Sequence, residues 1–229
     1  MKVGFIGSYD KIDFMLYVAK ALSLFGHSVL IVDTTVLQKS RYVVPALAPA
    51  QQYITTFEGI DVAAGFQTTQ QLQEYIVKTE GKNVEYDYTL VDVDSARGYV
   101  GFGIEQAEKQ YFMTTMDNFC LRRGLMAFSH VQNVAHVTRL LFSKDMLTDE
   151  IAYIEHLSKQ LKIKWNNEFL YFPFENGDQT VIYSNQKSSK IRIKGLSTQY
   201  IDGLKYVIED VSGRKSSDVN KLIKTLENN

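Results

Sequence analysis

The sequence predicts an α/β protein with a three-layer, doubly wound, mainly parallel sheet. Three observations carry that expectation. Short continuous apolar runs, the mark of strands covered on both faces, alternate with stretches of helical spacing along the 229 residues. The first 35 residues, MKVGFIGSYDKIDFMLYVAKALSLFGHSVLIVDTT, read as strand, glycine turn, amphipathic helix and second strand. No internal repeat or low-complexity linker divides the chain, so one domain is expected over 1–229, with 212–229 as a C-terminal helical tail.

The elements follow in order. Residues 2–6 and 29–32 are buried strands. Between them Phe14, Met15, Val18, Ala21, Leu22 and Phe25 share a helical face, which Gly26 ends. This strand–helix–strand unit should cross over right-handedly. Pro45 and Pro49 break the next stretch, and residues 53–57 and 60–63 around Glu58-Gly59 suggest a short hairpin or sheet edge. Thr68, with Gln71 three residues on, makes a capping box for a helix to about residue 78. Residues 86–92 form a strand with an acid at its carboxyl end, and 111–116 another. A helix with Leu121, Leu125, Met126 and Phe128 comes next. Residues 137–142 and 168–173 are the remaining strands, with a helix over 149–161 between them. Two final helices are expected over 199–211 and around Val219, Leu222, Ile223 and Leu226.

Composition narrows the functional classes. Apolar residues make up 45% and charged residues 22%, an ordinary globular balance. A net charge of −1 gives no global electrostatic case for wrapping nucleic acid. The single cysteine, Cys120, leaves no internal disulfide and no multi-cysteine metal site. It follows a strand beside Arg122 and Arg123, where a buried inert thiol is the expectation. Asp10, Lys11 and Asp13 interrupt the N-terminal apolar run, and no stretch is long enough to span a bilayer, so a cytoplasmic protein is expected. His27 is expected in an exposed turn. His130 and His136 are six apart with no acid cluster, which does not suit a metal.

In doubly wound sheets ligands sit beyond the carboxyl ends of the strands, where Gly7, Ser8, Asp10, Lys11, Asp33 and Asp92 should converge. KVGFIG and AKALSLFGHSVLIVD resemble the opening of NAD-dependent hydroxyacid dehydrogenases, with Asp33 as the ribose-binding acid. Tyr9 and Ile12 then stand where that fingerprint needs its other two glycines. The second resemblance is to the P-loop ATPases of the ParA/MinD family, and it runs over most of the chain. YVAKALSLFGHSVLIVD and VLIVDTT are similar to the first helix and second strand, and YDYTLVDVDSARG to the Walker B strand. FMTTMD, VTRLLFS and LYFPFENGD are similar to the later strands. On that fit Gly7 matches the first glycine of the phosphate loop and Lys11 its phosphate-binding lysine.

The resemblance implies a P-loop NTPase-like fold and a nucleotide site at Gly7, Ser8, Asp10, Lys11, Asp33 and Asp92. It also shows departures. Ile6 stands for the signature lysine, Ile12 for the hydroxyl that holds Mg²⁺, and Asp10 for a glycine. A carboxylate about 4 Å from a phosphate charge costs about 4 kcal/mol at an effective dielectric near 20. Read from the chain alone, Asp10 is also a helix-capping residue and Lys11 a solvated lysine at a helix start. The expected cofactor is therefore none, or ATP with Mg²⁺ if the loop is competent.

The function expected is that of a degenerate ParA/MinD-like protein without ATP hydrolysis, similar to TadZ-like proteins. It would act as a homodimeric adaptor or positioning factor for a pilus, secretion, partition or division machine. The alternatives are an active ATPase with an unusual loop, or an NAD-dependent oxidoreductase. Two surface features remain. The last helix could touch a membrane, although its narrow apolar face favours packing. KSSKIRIKG, residues 187–195, reads as an exposed basic strand that could meet an acidic partner or nucleic acid.

Overall fold

Eight strands form one sheet in the order β3-β4-β2-β5-β1-β6-β7-β8 in the computed structural model, which describes residues 1–46, 50–143, 149–173 and 175–228. The strands are β1 (Lys2–Ile6), β2 (Val29–Asp33), β3 (Tyr53–Phe57), β4 (Ile60–Ala64), β5 (Tyr88–Val93), β6 (Lys109–Thr115), β7 (Ala135–Ser143) and β8 (Ile163–Pro173). Every neighbouring pair is parallel except the hairpin β3–β4. Its turn carries Glu58 and Gly59, both at positive φ, as the sequence suggested. Pro49, the second expected breaker ahead of it, lies outside the described residues.

The helices are α1 (Ile12–Leu24), α2 (Ser40–Val43), α3 (Thr69–Glu80), α4 (Ala96–Gly101), α5 (Asn118–Leu125), α6 (Glu150–Ser158), α7 (Asn176–Ser188), α8 (Thr198–Ser212) and α9 (Ser216–Asn228). They make the outer layers. One core joins α1, α8 and α9 to the sheet through Phe14, Val18, Leu204, Val207 and Ile223. The other joins α3 to α6 through Leu72, Ile76, Tyr99, Leu121 and Ile154. Strands β1, β2 and β5 are therefore covered on both sides, which is why they read as unbroken apolar runs.

β5 lies between β1 and β2. A dinucleotide-binding sheet keeps its first two strands adjacent, in the order 3-2-1-4-5-6. The strand order therefore departs from the dinucleotide-binding sheet that the oxidoreductase resemblance implies, independently of the missing glycines.

Several elements differ from their expected bounds for physical reasons. Thr68 caps α3 by accepting from the Gln71 amide, but the Gln71 side chain accepts from Gln67 N instead of closing the box on Thr68. β8 starts five residues early, because it is the last strand of the sheet and its outer residues, such as Lys164 and Glu168, meet water. α5 ends at Leu125, and Met126 opens a short 3₁₀ turn with its side chain exposed. α7 was not expected at all. The segment 187–195 is not a strand: residues to Ser188 close α7, and the rest is irregular, with Ile191 and Ile193 buried and the basic residues outside. In α9, Val219, Ile223 and Leu226 are buried against the core, so the terminal helix is packed. No helix among the described residues is long and apolar enough to cross a membrane.

Candidate functional site

The end of β1 and the start of α1 build the site. Gly7 continues the β1 hydrogen bonding by donating to the carbonyl of Val93. It has φ +138°, and a Cβ there would stand 2.1 Å from the Met113 carbonyl oxygen. Contact with β6 alone thus requires glycine at this position. Ser8 donates its hydroxyl to the carbonyl of Cys120 at 2.7 Å, tying the loop to α5. Cys120 is buried, as expected.

Tyr9 turns its ring away from the loop and stacks on Phe142 of β7, with centroids 4.6 Å apart. Burial pushes its phenol pKa well up. Asp10 is exposed. One of its oxygens accepts a long bond from the Ile12 amide, 3.4 Å, and the other is paired with Lys39. Asp10 therefore caps α1 only weakly, and the N-cap position is Lys11, whose side chain makes no cap.

Lys11 is the largest departure from expectation. The side chain read as solvated is only 2% exposed. Its ammonium donates to the carbonyls of Gly7 and Tyr9 and forms an ion pair with Asp92 Oδ1 at 2.9 Å. The lysine thus folds back and fills the loop it belongs to. Ile12 is fully buried.

Asp33 and Asp92 are brought together as expected, being partners across the parallel β2–β5 pair. Asp33 accepts from the amide and hydroxyl of Thr35 and from the amide of Ser40, so it shapes the turn from β2 into α2. Asp92 has Lys11. Burial raises its carboxyl to about 7, Lys11 pulls in the other direction, and Asp33 adds to the rise.

Asp13, in the first turn of α1, is a site residue that sequence reasoning passed over. Both its oxygens accept from the side-chain amide of Gln186 on α7. Burial raises its carboxyl to about 6. Asp10, Asp13 and Lys39 border a cavity of about 140 Å³ beside the loop, with Tyr9, Phe142 and Tyr200 among its walls. The available signal was Asp13 three residues after Asp10 at a helix start, but its partner lies on the unexpected α7. Among the described residues no group of three His, Cys, Asp or Glu side chains is placed to hold a metal ion. His27 is half-buried against Tyr88, 3.9 Å from Asp87.

The fold and the loop position define the class: this chain has the ParA/MinD-type P-loop NTPase fold. It is similar to a ParA family ATPase from Chlorobium tepidum TLS, with TM-score 0.55 and 15% identity, over 99% of this chain and 96% of that one. It is also similar to the MinD cell division protein of Aquifex aeolicus, with TM-score 0.51 and 13% identity over 93% and 97% of the two chains. The same bacterium's MinC:MinD complex gives TM-score 0.53 and 13% identity over 93% and 96%. No protein-family model and no curated protein matches the chain.

Proposed function

We propose that this chain is a ParA/MinD-like protein that does not hydrolyse ATP and works through its surfaces, as a homodimeric adaptor or positioning factor in a larger assembly. One observation carries the reading: the Lys11 ammonium is taken up by Gly7 O, Tyr9 O and Asp92 inside its own loop. To meet a phosphate this ammonium would have to leave its partners, and moving it would leave Asp92 buried beside Asp33 without a counter-charge.

The surroundings support the same conclusion. The residues at the loop do not fit a magnesium-bound triphosphate. Asp10 and Asp13 present carboxylates beside it, Ile12 offers no ligand, and the Gly7 amide is committed to β5. Gly7 itself is explained by its approach to Met113. Val36 and Leu37 beyond β2, and Phe119 on α5 beyond β6, are exposed near the carboxyl edge of the sheet and suit contact with another protein. The solved structure of MinD with MinC is an instance of this fold engaging a partner chain. The packed α9 speaks against that helix as a membrane anchor.

The test is sedimentation of the full chain with and without ATP and Mg²⁺, beside the Lys11→Ala variant. The expected result is the same dimer in all samples. Dimerisation that requires ATP and disappears in Lys11→Ala would favour the active-ATPase reading.

A further inference from the structure

The cavity beside the loop has walls suited to a charge opposite to that of phosphate. Its aromatic side is continuous with the core. Tyr9 stacks on Phe142, Phe142 stacks on Phe172 at 4.5 Å, and Tyr200 packs edge-on to Phe142 at 6.4 Å. Tyr183 of α7 stands at the rim, half exposed. The stacked rings cover one another's faces, and Tyr183 is the exposed ring that can meet a cation.

The charged groups are unevenly matched. Lys39 pairs with Asp10, and that pair is internally balanced. Asp13 lies deeper and receives two hydrogen bonds from the neutral Gln186 amide. No lysine, arginine or histidine among the described residues forms an ion pair with it. Lys39 also acts on Asp13 through space, but it is paired with Asp10, so two carboxylates share one ammonium at this cavity.

We infer that this cavity binds an organic monocation, an alkylammonium or alkylguanidinium group, with Asp13 as counter-ion and Tyr183 as ring contact. The group could be a free small amine or the lysine or arginine side chain of another protein, and both offer the same chemistry. The inference rests on the cavity and stands whether or not the loop binds nucleotide.

Calorimetry on the full chain at pH 7.5 tests it, with butylguanidinium, butylammonium and the neutral control n-butanol. The cations should bind with Kd of about 1 mM or tighter, and n-butanol should not bind. Asp13→Asn, checked for folding by circular dichroism, should weaken binding about tenfold. Tyr183→Ala at the exposed rim, where folding is not at stake, should weaken it several-fold. Lowering the pH to 5 should also weaken binding, because Asp13 then takes up a proton. The other groups facing it are Asp10, Lys39 and the phenols of Tyr9, Tyr17 and Tyr200, and no phenol gains charge in that range. A short peptide, acetyl-Gly-Arg-Gly-amide, separates the sources: tighter binding than butylguanidinium assigns the site to a protein side chain, and weaker binding to a free amine. Absence of cation binding at about 10 mM, equal binding of n-butanol, or affinity unchanged in folded Asp13→Asn and in Tyr183→Ala would overturn the proposal. ATP titrated separately reports on the loop alone, so the two readings fail independently.

Discussion

Asp33 and Asp92 end neighbouring parallel strands in the same register, yet their surroundings differ in kind. Asp33 is satisfied by three hydrogen bonds from the turn that follows it. Asp92 depends on a lysine from another strand's loop, and its burial raises its carboxyl above the ordinary carboxylate range. Asp33 organises its own segment, whereas Asp92 fixes the first turn of the protein by drawing Lys11 inward. The strand-end acids thus shape a turn at one position and hold Lys11 inside its loop at the other.

The strongest way to break that contrast is to remove Lys11. Lys11→Met should cost about 3 kcal/mol in urea unfolding, because Asp92 loses the charge that offsets its burial. Adding Asp92→Leu should recover most of the loss. If the double variant were no more stable than the single one, the buried pair would not be the source of the cost. Asp33→Ala should cost about 2 kcal/mol by leaving the amides of Thr35 and Ser40 without their acceptor. No second substitution in β5 should rescue it.

How much of this was legible in the sequence depended on what holds each part. β1, α1, β2 and the β3–β4 hairpin were readable because apolar burial and turn residues fix them. α7 was not readable. Among its residues with described side chains, only Asp178 and Asn185 are buried, and they are held by Ser197, Tyr17 and the carbonyl of Arg192. Hydrophobic spacing has no signal for a helix anchored by polar contacts. The burial of Lys11 was hidden for a related reason. Whether a lysine at a helix start points to water or back into its loop depends on a carboxylate 81 residues away in sequence, Asp92. The six candidate residues do meet at one end of the sheet, but their roles were set by pairings that spacing along the chain does not encode.

A pH titration of stability sharpens the comparison further. The Asp92 carboxyl sits at about 7 in the folded chain against a reference of 3.8, so the folded state holds that proton more tightly. Its contribution is fully present below pH 3.8 and is lost as the pH rises through about 7. Asp13 acts in the same direction up to about 6. Asp92→Asn should therefore flatten the fall in stability between pH 3.8 and about 7 and leave only the Asp13 portion, between 3.8 and about 6. The smallest effect belongs to the rim: Lys39→Ala breaks a partly exposed pair with Asp10 and should change stability by under about 1 kcal/mol.

The most direct test of the central claim is calorimetric titration of the wild-type chain with ATP and Mg²⁺, paired with a phosphate-release assay. The expected result is no binding at millimolar ATP and no Mg²⁺-dependent turnover, because Lys11 remains bound within its loop. Micromolar binding with turnover, both lost in Lys11→Ala, would contradict the account and make this chain an active ATPase.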